Sequence, residues 1–142
     1  MIISQLSIFV ENRPGALREL TELLCSRQVN LRALNIAEAT DYGVLRLIVD
    51  HTETAAGILR EAGYVFSVTK VVAAAVPDCV GGLNKLLALL ADAQVNIEYM
   101  YSVFGHRDGM AYMVFKVSDP EKLDRIFAEN QVESTGKREL GA

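Results

Sequence analysis

The chain has 142 residues, 51% of them apolar, with a formal charge of -4 and a pI near 5.2. The acidic balance argues against a general nucleic-acid binder, which carries a basic footprint, and no apolar run reaches the roughly 18 residues of a membrane-spanning helix. The start, "MIISQLSIFVENR", has no basic leader or small-residue cleavage site, and Cys25 and Cys79 form neither a Cys-x-x-Cys pair nor a disulfide framework, so a cytoplasmic protein is the expectation.

The predicted elements begin with "ISQLSIFV", which alternates and ends in β-branched and aromatic residues, a strand. "GALRELTELLCSR" sets Leu17, Leu20, Leu23 and Leu24 on one side of an amphipathic helix. "VNLRALNIAEA" is a weak second strand, "TDYG" a turn and "VLRLIVD" a third strand. "TETAAGILREAG" is a short helix closed by Gly63, and "YVFSVTKVV" a fourth strand.

The order then recurs. "VAAAV", "GGLNKLLALLADA", "VNIEYMYSVF", the turn "GHRDG", "MAYMVFKV", the helix "DPEKLDRIFAEN" and a final "QVESTGK" repeat it, with Asp119 capping and Pro120 opening the last helix. An offset of 66 residues, Gly15 onto Gly81, aligns Val10 with Val76 and Leu17 with Leu83. It also aligns "QVNL" from Gln28 with "QVNI" from Gln94, and Gly43 with Gly109. So long a period implies a duplicated domain rather than a solenoid. The expected fold is α+β: two ferredoxin-like βαββαβ domains in tandem, residues 1–70 and 71–142, each an antiparallel sheet with both helices on one face. No Gly- or Pro-rich linker separates them, which predicts rigid coupling, and the apolar "MAYMVFKV" predicts burial on both of its faces.

The junction "ENRPGAL" joins the first strand to the first helix. A helix start leaves backbone N–H groups unpaired and carries partial positive charge, which suits a carboxylate. Gly15 permits close approach, Pro14 fixes the backbone, and the neutral amide of Asn12 can bond both an ammonium and a carboxylate. Asn30, after the helix, is expected near the sheet edge and within reach of the same site. Two readings stand at this level: a pocket for an α-amino acid, or a turn at Asn12 with a cap at Asn30.

"ENRPGAL" followed by "VNL" resembles the ACT domain, an amino-acid-sensing module, and most of all the regulatory domain of bacterial phosphoglycerate dehydrogenases. The resemblance implies that Asn12 and Asn30 contact an effector amino acid, with Arg13, Pro14, Gly15, Ala16, Leu17 and Leu31 around them. Val10 stands where that family often has a His ligand, which puts serine in doubt as the effector. The second repeat offers Asp78, Cys79, Val80, Gly81, Gly82 and Leu83, with Asn96 and Ile97 on its following strand. An aspartate at the place of Asn12 favours an ammonium over a carboxylate, so this second site is expected to be altered or empty. The resemblance further implies a homodimer and a sensor or regulatory subunit that acts on an enzyme, with no cofactor and no catalysis of its own.

"NIEYMYSVF" is expected to place Ile97, Tyr99, Tyr101 and Val103 on one face and Glu98, Met100 and Ser102 on the other, and the two tyrosines suit either a pocket wall or a domain contact. His51 and His106 have no metal-ligand spacing. Cys79 reads as a thiol at a helix start or as a small packing residue. Three rival functions stand beside this reading. "GMAYMVF" falls short of the aromatic RNA-recognition signature. Arg13 with Asn30 is a thin echo of acylphosphatase chemistry without its loop. A third possibility is an assembly protein with degenerate sites.

Overall fold

The computed structural model describes residues 1–37, 40–105 and 107–140. In chain order it contains β1 (Ile2–Glu11), α1 (Ala16–Ser26), β2 (Leu31–Ala37), β3 (Tyr42–Val49), α2 (Thr52–Glu61) and β4 (Phe66–Pro77). These are followed by α3 (Gly82–Asp92), β5 (Ile97–Val103), β6 (Met110–Val117), α4 (Pro120–Glu129) and β7 (Glu133–Ser134). The chain divides into an N-terminal unit, Ser4–Thr69, and a C-terminal unit made of Met1–Ile3 and Lys70–Ala142. Both are ferredoxin-like, antiparallel in their sheets.

In the N-terminal unit the hydrogen-bonded order is β2-β3-β1. Alternate residues Leu6, Ile8 and Val10 of β1 and Leu45, Leu47 and Val49 of β3 turn to one face. Ala16, Leu20 and Leu24 of α1 and Ala55, Ala56, Ile58 and Leu59 of α2 cover that face, so both helices lie on the same side. Leu17 and Leu23 flank the α1 stripe half-buried, so its centre lies on Ala16, Leu20 and Leu24, at intervals of four. In the C-terminal unit β6 lies between β4 and β5. Val72, Ala74, Val76, Met113, Phe115 and Val117 meet Leu86, Leu90, Leu123 and Phe127. Tyr112 to Phe115 are all buried, in keeping with the apolar run of β6.

Each of α1, α2, α3 and α4 stops in the same way. After α1, Gln28 is left-handed (φ 58°), its N–H bonds to the Cys25 carbonyl, and the Val29 N–H bonds to the Leu24 carbonyl at 3.0 Å. Gln94–Val95 after α3, Gln131–Val132 after α4 and Gly63–Tyr64 after α2 repeat this pair of bonds. Left-handed backbone costs a residue with a Cβ on the order of 1 kcal/mol. The return is satisfied end carbonyls and an apolar residue turned back onto the helix. The repeated "QV" is therefore a helix stop. At α4 the Asp119 carboxylate accepts from the Lys122 N–H at 2.8 Å, with Pro120 in the first turn.

Two departures from the sequence pattern have local causes. The β5–β6 register shifts between Ile97 and Tyr99, so Met100 joins Ile97 on the helix-covered face while Tyr99, Tyr101 and Val103 stay on the other. This bulge corrects the expectation that Ile97 shares a face with the tyrosines. The final segment is not one strand. After the two residues of β7, the Thr135 N–H bonds to the Ala73 carbonyl at 2.9 Å, and buried Leu140 bridges to Gly105. Among the described residues no helix is long and apolar enough to cross a membrane. The expectation for His106 falls outside the described residues.

Candidate functional site

The junction after β1 is a tight loop with the same skeleton in both repeats. Gly15 and Gly81, each at φ 84°, are the N-cap residues of α1 and α3, and neither helix has a side-chain cap. The Arg13 N–H bonds to the Glu11 carbonyl and the Cys79 N–H to the Pro77 carbonyl, both at 3.0 Å. The first helical bonds also match, Glu19 N–H to Gly15 at 2.9 Å and Lys85 N–H to Gly81 at 3.0 Å. A left-handed residue at the cap explains both glycines.

Around the first loop lies a cleft of about 300 Å³ lined by Val10, Glu11, Asn12, Arg13, Leu17, Ile36, Ala37 and Gly43. The β1–β3 pairing builds it, since Val10 opposite Gly43 sets the end of the β2–β3 hairpin beside the loop. The Asn12 backbone N–H bonds to the Asp41 carbonyl at 2.8 Å, and its side-chain Nδ2 donates to the Thr40 carbonyl at 3.3 Å. Gly43 matters for space: a Cβ there would lie 3.2 Å from the Ala37 carbonyl and 3.4 Å from the Ile36 side chain. Ile36 and Ala37 were not legible as site residues, and the match of Gly43 with Gly109 does not hold in the structure: Val10 pairs with Gly43, whereas Val76 pairs with Ala111.

Arg13 is committed within its own loop. Its Nε lies 2.7 Å from Glu11 Oε2, and its two terminal nitrogens reach the two Glu19 carboxylate oxygens at 3.1 and 2.7 Å. The Glu19 and Glu11 hydrogen bonds raise the Arg13 pKa, and Arg13 holds the Glu19 carboxyl below its usual range. Pro14 and Gly15 are exposed, Ala16 is buried, and half-buried Leu17 alone of the helix residues reaches the cleft.

Asn30 and Leu31 sit elsewhere. They line a shallow concavity with Arg18, Thr21, Glu22, Cys25, Gln28 and Val29. The two asparagines flank opposite ends of α1, and its 11 residues span about 16 Å. That length corrects the expectation that Asn12 and Asn30 of one unit reach a single carboxylate. The Asn30 main chain is tied to Asp50, whose Oδ1 accepts from the Asn30 N–H at 3.2 Å and the His51 N–H at 2.9 Å.

Burial pushes the Asp50 carboxyl up, but the His51 and Asn30 N–H groups outweigh it and leave the pKa below the ordinary value. A carboxyl depressed on folding stabilises above its unfolded pKa near 3.9 and loses that contribution as pH falls through its lower folded value. Asp50→Asn is therefore expected to melt below the wild type at pH 6, with the gap narrowing toward pH 3. Melts across that range check this; a constant gap would assign the loss to shape rather than charge.

In the second repeat, exposed Asp78 bonds through its N–H to the Gly109 carbonyl at 2.9 Å, and Val80 projects fully into solvent. Cys79 is exposed, Gly82 buried and Leu83 exposed. Asn96 is exposed after the helix stop, while Ile97 packs into the core of its unit. Glu98 pairs with Lys116 at 3.2 Å. Cys79 and Gly82 line a cavity described below; Asp78 is not in its wall. Among the described residues no His, Cys, Asp and Glu cluster suited to a metal occurs.

The whole sequence, residues 1–142, matches the model of the ACT domain pair. The chain belongs to that family. A crystal structure of a Bacteroides thetaiotaomicron protein is 38% identical, with a TM-score of 0.88 over 95% of this chain and 92% of that one. The regulatory subunit of aspartate kinase from Thermus thermophilus shares the fold at 13% identity, with a TM-score of 0.64 over 91% of this ACT pair and 96% of its own chain. A putative C-terminal regulatory domain of aspartate kinase from Porphyromonas gingivalis does so at 16% identity and a TM-score of 0.54, covering 91% and 94%. No curated protein matches the sequence. ACT domains are regulatory modules that bind amino acids.

Proposed function

We propose that this ACT domain pair is a sensor that binds a free amino acid at the Asn12 cleft and regulates a partner enzyme, with no catalysis of its own. The cleft at Asn12 carries the reading. It joins a side-chain amide to an apolar wall of Leu17, Ile36 and Ala37, with space kept by Gly43. An amide bonds either end of a zwitterion, and the apolar wall suits an uncharged side chain. Because Asn30 lies at the far end of α1, one unit supplies only one of the two asparagines. A homodimer in which a second copy presents its Asn30 to the cleft would complete the site.

Two observations bear on the alternatives. Arg13 is held by Glu19 and Glu11 and lies at the opposite end of α1 from Asn30, so the pair does not converge as an acyl-phosphate site requires. The same commitment of Arg13, with Asp78 in the second loop, favours an assembly subunit with degenerate sites as the second reading.

A thermal-shift screen of the twenty amino acids separates these. A ligand at about 100 times its Kd stabilises by about 2.7 kcal/mol, a rise of roughly 5–10 °C for a chain of this size. One or a few uncharged amino acids are expected to give that rise. Asn12→Ala and Asn30→Ala should each remove most of it without lowering the ligand-free melt by more than a few degrees. No shift with any amino acid would leave only the assembly reading.

A further inference from the structure

The second repeat holds a cavity whose chemistry differs from that of its counterpart in the first. It measures about 470 Å³ and lies among the end of β4, the first turns of α3 and the residues after α4. Val76, Leu86, Leu89, Met110 and Val132 make its walls apolar. Two charged residues border it, Lys85 and Glu133. Glu133 is neutralised by an ion pair with Arg107. Lys85 forms no ion pair or side-chain hydrogen bond among the described residues.

The duplication shows what has changed. The matching cleft of the first repeat, about 280 Å³, is bordered by Glu11, Arg13 and Glu19. There the three side chains close on one another as an ion-pair cluster. At an offset of 66 the second repeat has Pro77, Cys79 and Lys85 in their places, on the same loop skeleton. Both acids and the arginine are gone, and a single uncompensated cation stands over a wider apolar hollow.

We infer that this cavity is a second ligand site, for a small carboxylate with a branched or aromatic apolar body and no ammonium group. The volume is that of a small-molecule pocket. Lys85 supplies the charge partner for a carboxylate at the rim, while the apolar body leaves water for the walls. An α-ammonium meets no unpaired carboxylate in the lining: Glu133 is already paired, Lys85 repels it, and only the neutral amides of Asn130 and Gln131 remain to receive it. The free α-amino acid of the Asn12 site is thus disfavoured here. Branched 2-oxo acids and plain branched carboxylates share the required chemistry. The inference is independent of the Asn12 reading.

Cys79 lines the cavity and reports on it directly. In a Cys25→Ser protein, the rate of Cys79 alkylation by iodoacetamide is followed with 4-methyl-2-oxopentanoate, 4-methylpentanoate or leucine present. The 2-oxo acid, the plain acid or both are expected to slow alkylation at least about fivefold at saturation, and leucine is not. Lys85→Met should raise the half-protecting concentration at least about tenfold, and Lys85→Arg should keep most of the protection. Asn12→Ala should change nothing. Protection by the oxo acid alone assigns an α-keto acid site; equal protection by both assigns a general carboxylate site. No protection by either acid at 10 mM on the order of the weakest useful affinity, equal protection by leucine, or an unchanged response in Lys85→Met would each overturn the inference.

Discussion

Phe127→Ala is expected to lower the stability of the C-terminal unit by about 3–5 kcal/mol. Phe127 is fully buried on α4 and meets Phe115 of β6 edge to face, with ring centroids 5.8 Å apart at 71°. Removing it loses the transfer free energy of the ring, the aromatic contact and the packing of Leu90 and Leu123 around it. With the two helix starts aligned, its counterpart in the first repeat is Leu59 of α2, also fully buried, and Leu47 of β3 takes the place of Phe115, so this ring pair has no equivalent there. Phe127→Leu therefore asks the second unit to adopt the solution of the first. It should cost about 1–2 kcal/mol, much of it the ring pair. Urea unfolding measures both. A domain is stable by only about 5–15 kcal/mol, so the alanine variant should be visibly close to unfolding. A loss under about 1 kcal/mol would mean that the α4 packing described above is wrong.

That paired core was legible in the sequence, because periodicity and duplication reinforced each other. Leu20 and Leu24 in one repeat and Leu86 and Leu90 in the other fall at helical spacing and at the same offset. The run from Met110 to Val117 read as a strand at least partly buried on both faces, and Tyr112 to Phe115 are buried on both. The Asp119–Pro120 helix start was equally plain, since cap chemistry is local.

What failed to show was set by interactions that strict alternation does not encode. A one-residue bulge moved Met100 to the core face, because two-residue alternation holds only while the register does. Three glutamines in left-handed backbone read as ordinary polar residues, although the recurring "QV" carried the signal. At the site, sequence proximity of "ENRPGAL" and "VNL" suggested one pocket. The helix between them holds Asn12 and Asn30 apart instead. Asn12 itself proved to hold the neighbouring turn through Thr40 as well as to border the cleft. Neither the swap of Glu19 for Lys85 nor its effect on a cavity could be weighed until the two loops were seen to share one skeleton.

Gly105→Ala should be the second large perturbation, costing about 2–3 kcal/mol. The backbone at Gly105 is not left-handed, so the cause is not strain in the chain. A Cβ there would stand 2.1 Å from Cδ2, 2.2 Å from Cε2 and 2.6 Å from Cγ of Tyr112, far inside contact distance. The ring has little room to retreat, because Tyr112 is buried on β6 between Val103 of β5 and Ala75 of β4. Gly105 also bridges to Leu140, so a displaced backbone would disturb that buried side chain too. The expected fall in Tm is roughly 4–12 °C. Gly109→Asn is the contrast: Gly109 is left-handed at φ 75° with nothing within 4 Å of a Cβ, and Asn tolerates that backbone, so the loss should stay near 1 kcal/mol or less. The decisive measurement is the double variant. If the ring is the obstacle, Tyr112→Leu should recover part of the Gly105→Ala loss, giving a coupling of about 1 kcal/mol or more. Strict additivity of the two changes would place the cost in the Gly105–Leu140 backbone instead and refute the steric account.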